Sequence, residues 1–154
     1  MSGDSLLTAE VALSVLRGCL IVSLSGDLND ESLTRVRQAV LNRVHHGAIK
    51  GVIFDMTGVA VLDTHAFAHL AETALMVRLL GSKAAFVGFQ PGVVSFLVDM
   101  DAPLDDIVAF RSLERGMAHL SPLAPHHEEG ENPEGDPDEW PEEESVDDLA
   151  ARDG

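Results

Sequence analysis

Val52-Ile53-Phe54 is an unbroken apolar run that ends in Asp55, passes through Met56-Thr57-Gly58-Val59-Ala60-Val61-Leu62 and arrives at Asp63-Thr64. Three consecutive β-branched or aromatic residues with no polar alternation read as a strand covered on both faces. A carboxylate followed by a hydroxyl residue, ahead of a helical apolar pattern, reads as a helix start. The stretch is therefore strand, loop and helix in succession. From Thr64 to Leu80 the apolar positions Phe67, Leu70, Ala71, Ala74 and Leu75 supply a buried stripe, and Gly81 supplies the stop.

Working outward, the same alternation repeats. Upstream, Leu33, Val36, Val40 and Val44 recur at helical spacing behind the turn and cap Gly26-Asp27-Leu28-Asn29-Asp30, which predicts a helix ending near Gly47. Before it, Leu13 to Leu16 and Cys19 to Leu24 are short β-rich runs around Arg17-Gly18, a hairpin signal. Downstream, Ala84 to Val87 reads as a strand. Gln90-Pro91 opens a third helix, proline being harmless at a first turn, with Val94, Leu97 and Val98 turned inward. Asp106 to Phe110 predicts a short edge strand and Ser112 to Leu120 a closing helix. The expected fold class is α/β: an N-terminal β-hairpin, then alternating helices and strands, in a mixed, mostly parallel sheet with helices mainly on one face. A two-sided dinucleotide-binding sheet is disfavoured by the small number of helices and by the absence of a glycine-rich phosphate loop. No internal repeat is visible.

Composition bounds the function. The chain has 154 residues, 45% of them apolar, enough for one core and not two. Its net charge of −16 is uneven: residues 1–124 hold 13 acidic and 9 basic residues, whereas 125–154 hold 13 acidic and one basic. The expected division is a short lead over residues 1–10, a domain over 11–121, and an acidic Pro/Glu-rich disordered tail over 122–154, too polar and like-charged to offset the entropy of ordering. Such acidity disfavours nucleic acid and anionic membrane as partners. The single cysteine, Cys19, lies in an apolar run and has no disulfide partner. With no basic cluster leading into an apolar core near Met1, and no apolar run approaching ~20 residues, the expected location is cytoplasmic.

Each chemistry-bearing residue has a plainer role beside its functional one. His65 and His69 are four apart on one predicted helix and can face one metal, with Asp63 as a third ligand. Position 66 is alanine where a zincin pattern needs glutamate, so no metal or other cofactor is expected. No Gly-x-Ser-x-Gly elbow is present. Asp55 and Asp63 form a conceivable carboxylate pair, but carboxylates at strand and loop ends routinely cap helices and tie down loops. A small metal- or ligand-binding domain built on Asp55, Asp63, His65 and His69 is thus the weakest reading, and the chain is expected not to be an enzyme. Thr64 carries more content. A threonine at a helix mouth faces unpaired amide groups, and a phosphate there adds ~−1.5 to −2 charges where the helix dipole favours them.

At these residues the sequence resembles the STAS domain family, the anti-sigma factor antagonist fold. The likeness is carried by Gly18-Cys19-Leu20-Ile21-Val22-Ser23-Leu24, Asp27-Leu28-Asn29-Asp30-Glu31, Gly51 through Val59, Leu62-Asp63-Thr64, Arg78-Leu79-Leu80-Gly81 and Val87-Gly88-Phe89-Gln90-Pro91-Gly92-Val93, and it covers about residues 11 to 121. Within the family it looks most like the RsbS-like, single-domain proteins of the bacterial stressosome. The resemblance implies Thr64, after Asp63, as phosphoacceptor, with Asp27, Asp30, Asp55, Thr57, Gly58, Asp63 and His65 as switch-loop and docking support. The RsbS-like acceptor is usually serine, so threonine is a departure. The second acceptor of RsbR-like relatives falls on Asp30, which such a kinase cannot modify. The implied partners are a serine/threonine switch kinase of the RsbT type, RsbR-like co-antagonists, and further copies of the chain in a large assembly. The alternative is a stand-alone anti-sigma factor antagonist binding an anti-sigma kinase.

Overall fold

The computed structural model describes residues 10–121. Within them a five-stranded sheet has the order β1-β2-β3-β4-β5. Strands β1 (Glu10–Leu16) and β2 (Cys19–Ser25) form an antiparallel hairpin. Its two-residue turn needs left-handed backbone at both positions, met by Arg17 at φ 53° and Gly18 at φ 81°. Strands β3 (Gly51–Gly58), β4 (Lys83–Val87) and β5 (Ala109–Phe110) add in parallel. Helices α1 (Asp30–His46), α2 (Thr64–Leu79) and α3 (Pro91–Asp99) make the three crossovers, and α4 (Leu113–Leu120) follows β5. Right-handed crossovers between strands laid down in sequence bring successive helices to one face.

Strand alternation sorts the core. Leu20, Val22 and Leu24 of β2, Val52, Phe54 and Met56 of β3, and Ala84 and Phe86 of β4 join Val36 and Val40 of α1, Phe67, Leu70 and Val77 of α2, and Val93 and Leu97 of α3. The odd residues Cys19, Ile21, Ile53, Ala85 and Val87 face the other way and meet Met117 and Leu120 of α4. Thus β3 is buried on both faces, as its apolar run requires. Burial also holds the Cys19 thiol above its ordinary value, despite a hydrogen bond with Ser121 and the nearby Lys50, Arg17 and Lys83 charges.

The structure corrects several details. Strand β1 begins at Glu10, three residues before the expected start, and β5 shrinks to two residues. On α2 the inward row is Ala66, Phe67, Leu70, Thr73, Ala74 and Val77, while Leu75 is exposed. On α3 Val93 and Leu97 turn inward, and Val94 and Val98 face out, Val98 being 57% exposed. Leu75, Val94 and Val98, expected inward, lie on neighbouring faces instead, because the seating of Phe67 and Val93 under the sheet turns them outward. The expected acidic tail and most of the expected lead lie outside the described residues.

Candidate functional site

Two helix starts and two strand ends converge at the carboxyl edge of the sheet. Helix α1 is nucleated by a reciprocal cap: the Asn29 side chain accepts from the Ser32 amide at 2.8 Å, and the Ser32 hydroxyl accepts from the Asn29 amide at 2.9 Å. Helix α2 is capped by Asp63, whose Oδ1 accepts from the Ala66 amide at 2.7 Å. Thr64 is therefore the first residue of α2, half-buried, beside an exposed Asp63. The two helix starts are joined by Asp30 and His65, with Oδ1 and Nε2 2.8 Å apart and both side chains open to solvent.

Beneath them, Asp55 turns back on the end of β3. Its Oδ1 accepts from the Thr57 amide at 3.0 Å and from the Thr57 hydroxyl at 2.7 Å. The Gln90 Nε2 donates to the Thr57 carbonyl at 2.8 Å, linking the start of α3 to the end of β3. Gly88, at φ 77°, leaves the space Thr57 occupies. Asp55 thus ties down the end of β3. Gly58 ends β3 against β2, where an added Cβ would lie 2.8 Å from Ser25 Cβ and 2.9 Å from the Leu24 carbonyl. Asp27 lies exposed in the connection from β2 to α1, which the Gly26 amide ties to the Gly58 carbonyl at 3.4 Å.

Along the α1–α2 seam, Arg37 donates from Nε to the Thr73 hydroxyl at 2.9 Å and from a terminal nitrogen to the His69 carbonyl at 2.9 Å and Glu72 at 3.1 Å. Arg37, Gly88 and Gln90 were not singled out from the sequence as site residues. The resemblance stretch Val87 to Val93 contains Gly88 and Gln90, but their common partner is 31 to 33 positions away. His69 does not join His65 in a ligand set, and no group of three or more His, Cys, Asp or Glu side chains among the described residues is placed to hold a metal ion. Its Nδ1 is buried without a hydrogen-bond partner.

Burial first, then the Arg37 charge, lowers the His69 value from about 6.5; His65 adds to this, while Glu72 and Asp30 oppose it. Folded, the imidazole binds fewer protons than in the unfolded chain, so its contribution to stability is complete above about pH 6.5 and is lost as the pH falls below it. The expected result is a urea midpoint that drops more between about pH 7 and about pH 5.5 in the native chain than in His69→Gln. Parallel profiles would show that this imidazole titrates as it does unfolded.

Sheet order, crossover helices and a threonine set directly after the α2 cap define a class of α/β domain whose helix starts gather at the carboxyl edge of the sheet. The chain belongs to the STAS domain family, which matches residues 10–113. Membership makes it an α/β domain of the anti-sigma factor antagonist fold. RsbT co-antagonist protein RsbRA of Bacillus subtilis (strain 168) is 27% identical over 105 residues, which is 68% of this chain and 38% of that protein. The chain thus spans well under half of that relative. A Moorella thermoacetica RsbS variant superposes with a TM-score of 0.63 at 23% identity, covering 73% of this chain and 96% of its own. A chain of the structure described as "Molecular architecture of the stressosome, a signal integration and transduction hub" gives 0.63 at 24%, covering 74% and 99%. At these identities the two structures show the shared fold. No helix among the described residues is long and apolar enough to cross a membrane.

Proposed function

We propose that this chain is a phosphorylation-controlled antagonist of the cytoplasm, which holds a serine/threonine switch kinase of the RsbT type within a stressosome-like complex and releases it when Thr64 is phosphorylated. The observation that carries this reading is the position of Thr64: first residue of α2, directly after its cap Asp63, with its neighbour His65 engaged by Asp30 of α1. The kinase supplies ATP and its own base. The Thr64 oxygen attacks the γ-phosphorus, the bond to the bridging oxygen breaks, ADP leaves, and the base takes the hydroxyl proton. This chain supplies only the hydroxyl and a docking surface. A phosphate set between Asp63 and the Asp30–His65 pair adds like charge to a docked face and must be desolvated if the kinase stays. Asp27, Asp55, Thr57 and Gly58 serve by fixing the loops around that face. RsbR-like co-antagonists are the proposed companions in the complex, and the STAS domain proper is proposed to span 11–121.

The test is to incubate the chain with an RsbT-type kinase and ATP, locate phosphate by mass spectrometry and measure binding before and after. Phosphate is expected on Thr64, with kinase affinity falling at least about tenfold. Thr64→Ala should bind and not release. A kinase that binds and remains active, yet never modifies Thr64, overturns the proposal.

A further inference from the structure

The outer edge of β1 pairs with no described residue, and β1 carries none of the features that protect such an edge. Its interior, Val11-Ala12-Leu13-Ser14-Val15, has no charge, no proline and no bulge. Soluble proteins normally place lysine, proline or a bulge there, because a bare edge is a template for another strand. On the α1 side, Val11 is 36% and Val15 50% exposed, and a hollow lined by Val11, Leu13, Arg35, Val36 and Ala39 runs beside them.

The hairpin fixes which backbone groups are free. In a two-residue hairpin the residues flanking the turn, here Leu16 and Cys19, exchange hydrogen bonds. Alternation then commits Ser14, Ala12 and Glu10 to β2, and Val11, Leu13 and Val15 point their amide and carbonyl groups outward. A strand with its free groups on alternate residues and its middle at Leu13 is complementary to itself when turned around. Antiparallel pairing of two copies about Leu13 sets Val11 against Val15, Leu13 against Leu13 and Ala12 against Ser14. Every outward group on Val11, Leu13 and Val15 then finds a partner. It also brings the Glu10 end of one strand beside the Arg17 end of the other, whereas parallel pairing would place like charges together.

We infer that β1 is a homotypic interface, at which a second copy of this chain adds its own β1 antiparallel across a two-fold axis at Leu13 to make one continuous ten-stranded sheet, with the exposed valines meeting beside the α1 hollows. The contact does not depend on the role of Thr64, and within the proposed complex it is the point at which two copies join.

Sedimentation velocity on the full chain, at micromolar to tens of micromolar concentration, is expected to show a two-chain species. Val11→Lys with Val15→Lys should give a folded monomer, by circular dichroism and thermal midpoint, as should Val11→Glu with Val15→Glu. Mixing the two variants should restore the two-chain species, which a merely damaged fold would not do. Register is read by Leu13→Cys in a Cys19→Ser background. Paired Cα atoms about 5.5 Å apart lie within disulfide reach, so mild oxidation should yield a covalent dimer, while Val11→Cys alone should not. Thr64→Ala should leave the dimer intact, so failure of the switch and failure of the interface are read separately. A monomeric native chain, or a dimer that both lysine substitutions leave unchanged, overturns the inference.

Discussion

Replacing Phe86 with alanine is expected to lower the unfolding free energy by about 3–5 kcal/mol, the usual cost of emptying a buried aromatic site. Phe86 is 1% exposed at the centre of the larger core. Its ring stacks on Phe54 at a centroid distance of 5.0 Å and on Phe89 at 5.6 Å, and lies 6.3 Å from Phe67. These four rings come from β3, α2, β4 and the approach to α3, the elements whose ends carry the candidate site. The loss would be about a fifth or more of the stability typical of a domain this size, so the loops around Thr64 should loosen along with the core. Urea unfolding followed by circular dichroism checks it, with Phe86→Leu expected to cost less than half as much because most of the volume is kept. A change below about 1.5 kcal/mol for alanine would mean that the surrounding side chains collapse into the space, and that the rings do not set the spacing of the sheet and helices.

The second large effect is expected at Gly88→Ala, at about 2–5 kcal/mol. Two costs add. The φ of 77° places an alanine in left-handed backbone, at about 1–2 kcal/mol, and the new Cβ falls inside the contact distance of the Thr57 hydroxyl, an overpacking cost of about 1–3 kcal/mol. Thr57 cannot yield freely, because its hydroxyl and amide are both held by Asp55 and its carbonyl by Gln90. A double-mutant cycle separates the terms. In a Thr57→Ala background the steric cost should vanish and Gly88→Ala should cost only the backbone share. If the two changes are additive, the contact carries no energy and Thr57 is not wedged between Asp55 and Gly88. Under the proposed function, Gly88→Ala in the native background should also weaken kinase capture, whereas Phe86→Leu should leave it nearly unchanged.

Much of this protein is local, and what is local was legible. Element order, the Arg17-Gly18 hairpin, the α1 start near Asn29, the stop at Gly81 and the proline at the first turn of α3 follow from short-range preferences of the residues concerned. Asp63 as a cap with Thr64 behind it is of the same kind: a side chain bonding an amide three residues on needs no knowledge of the rest of the chain. The resemblance to the STAS family rested on those same punctuating residues at their spacings.

The tertiary structure decided what depends on residues far apart in sequence. Spacing alone pointed to Leu75, Val94 and Val98 as inward residues, and the position of the sheet buries Val77 and Val93 instead. The need for glycine at position 58 shows only when β2 is seen against it. Asp55 looks like a chemical group until Thr57 is found folded back on it and Gln90 is found holding Thr57 from 33 residues away. Asp30 and His65 are 35 residues apart and meet only because two crossovers deliver α1 and α2 side by side. Short-range hydrogen bonding and hydrophobic spacing fix which elements form, and so a sequence determines them by itself. Which faces are buried, and which loop side chains touch, are set by a packing that comes into being only when all the elements have met.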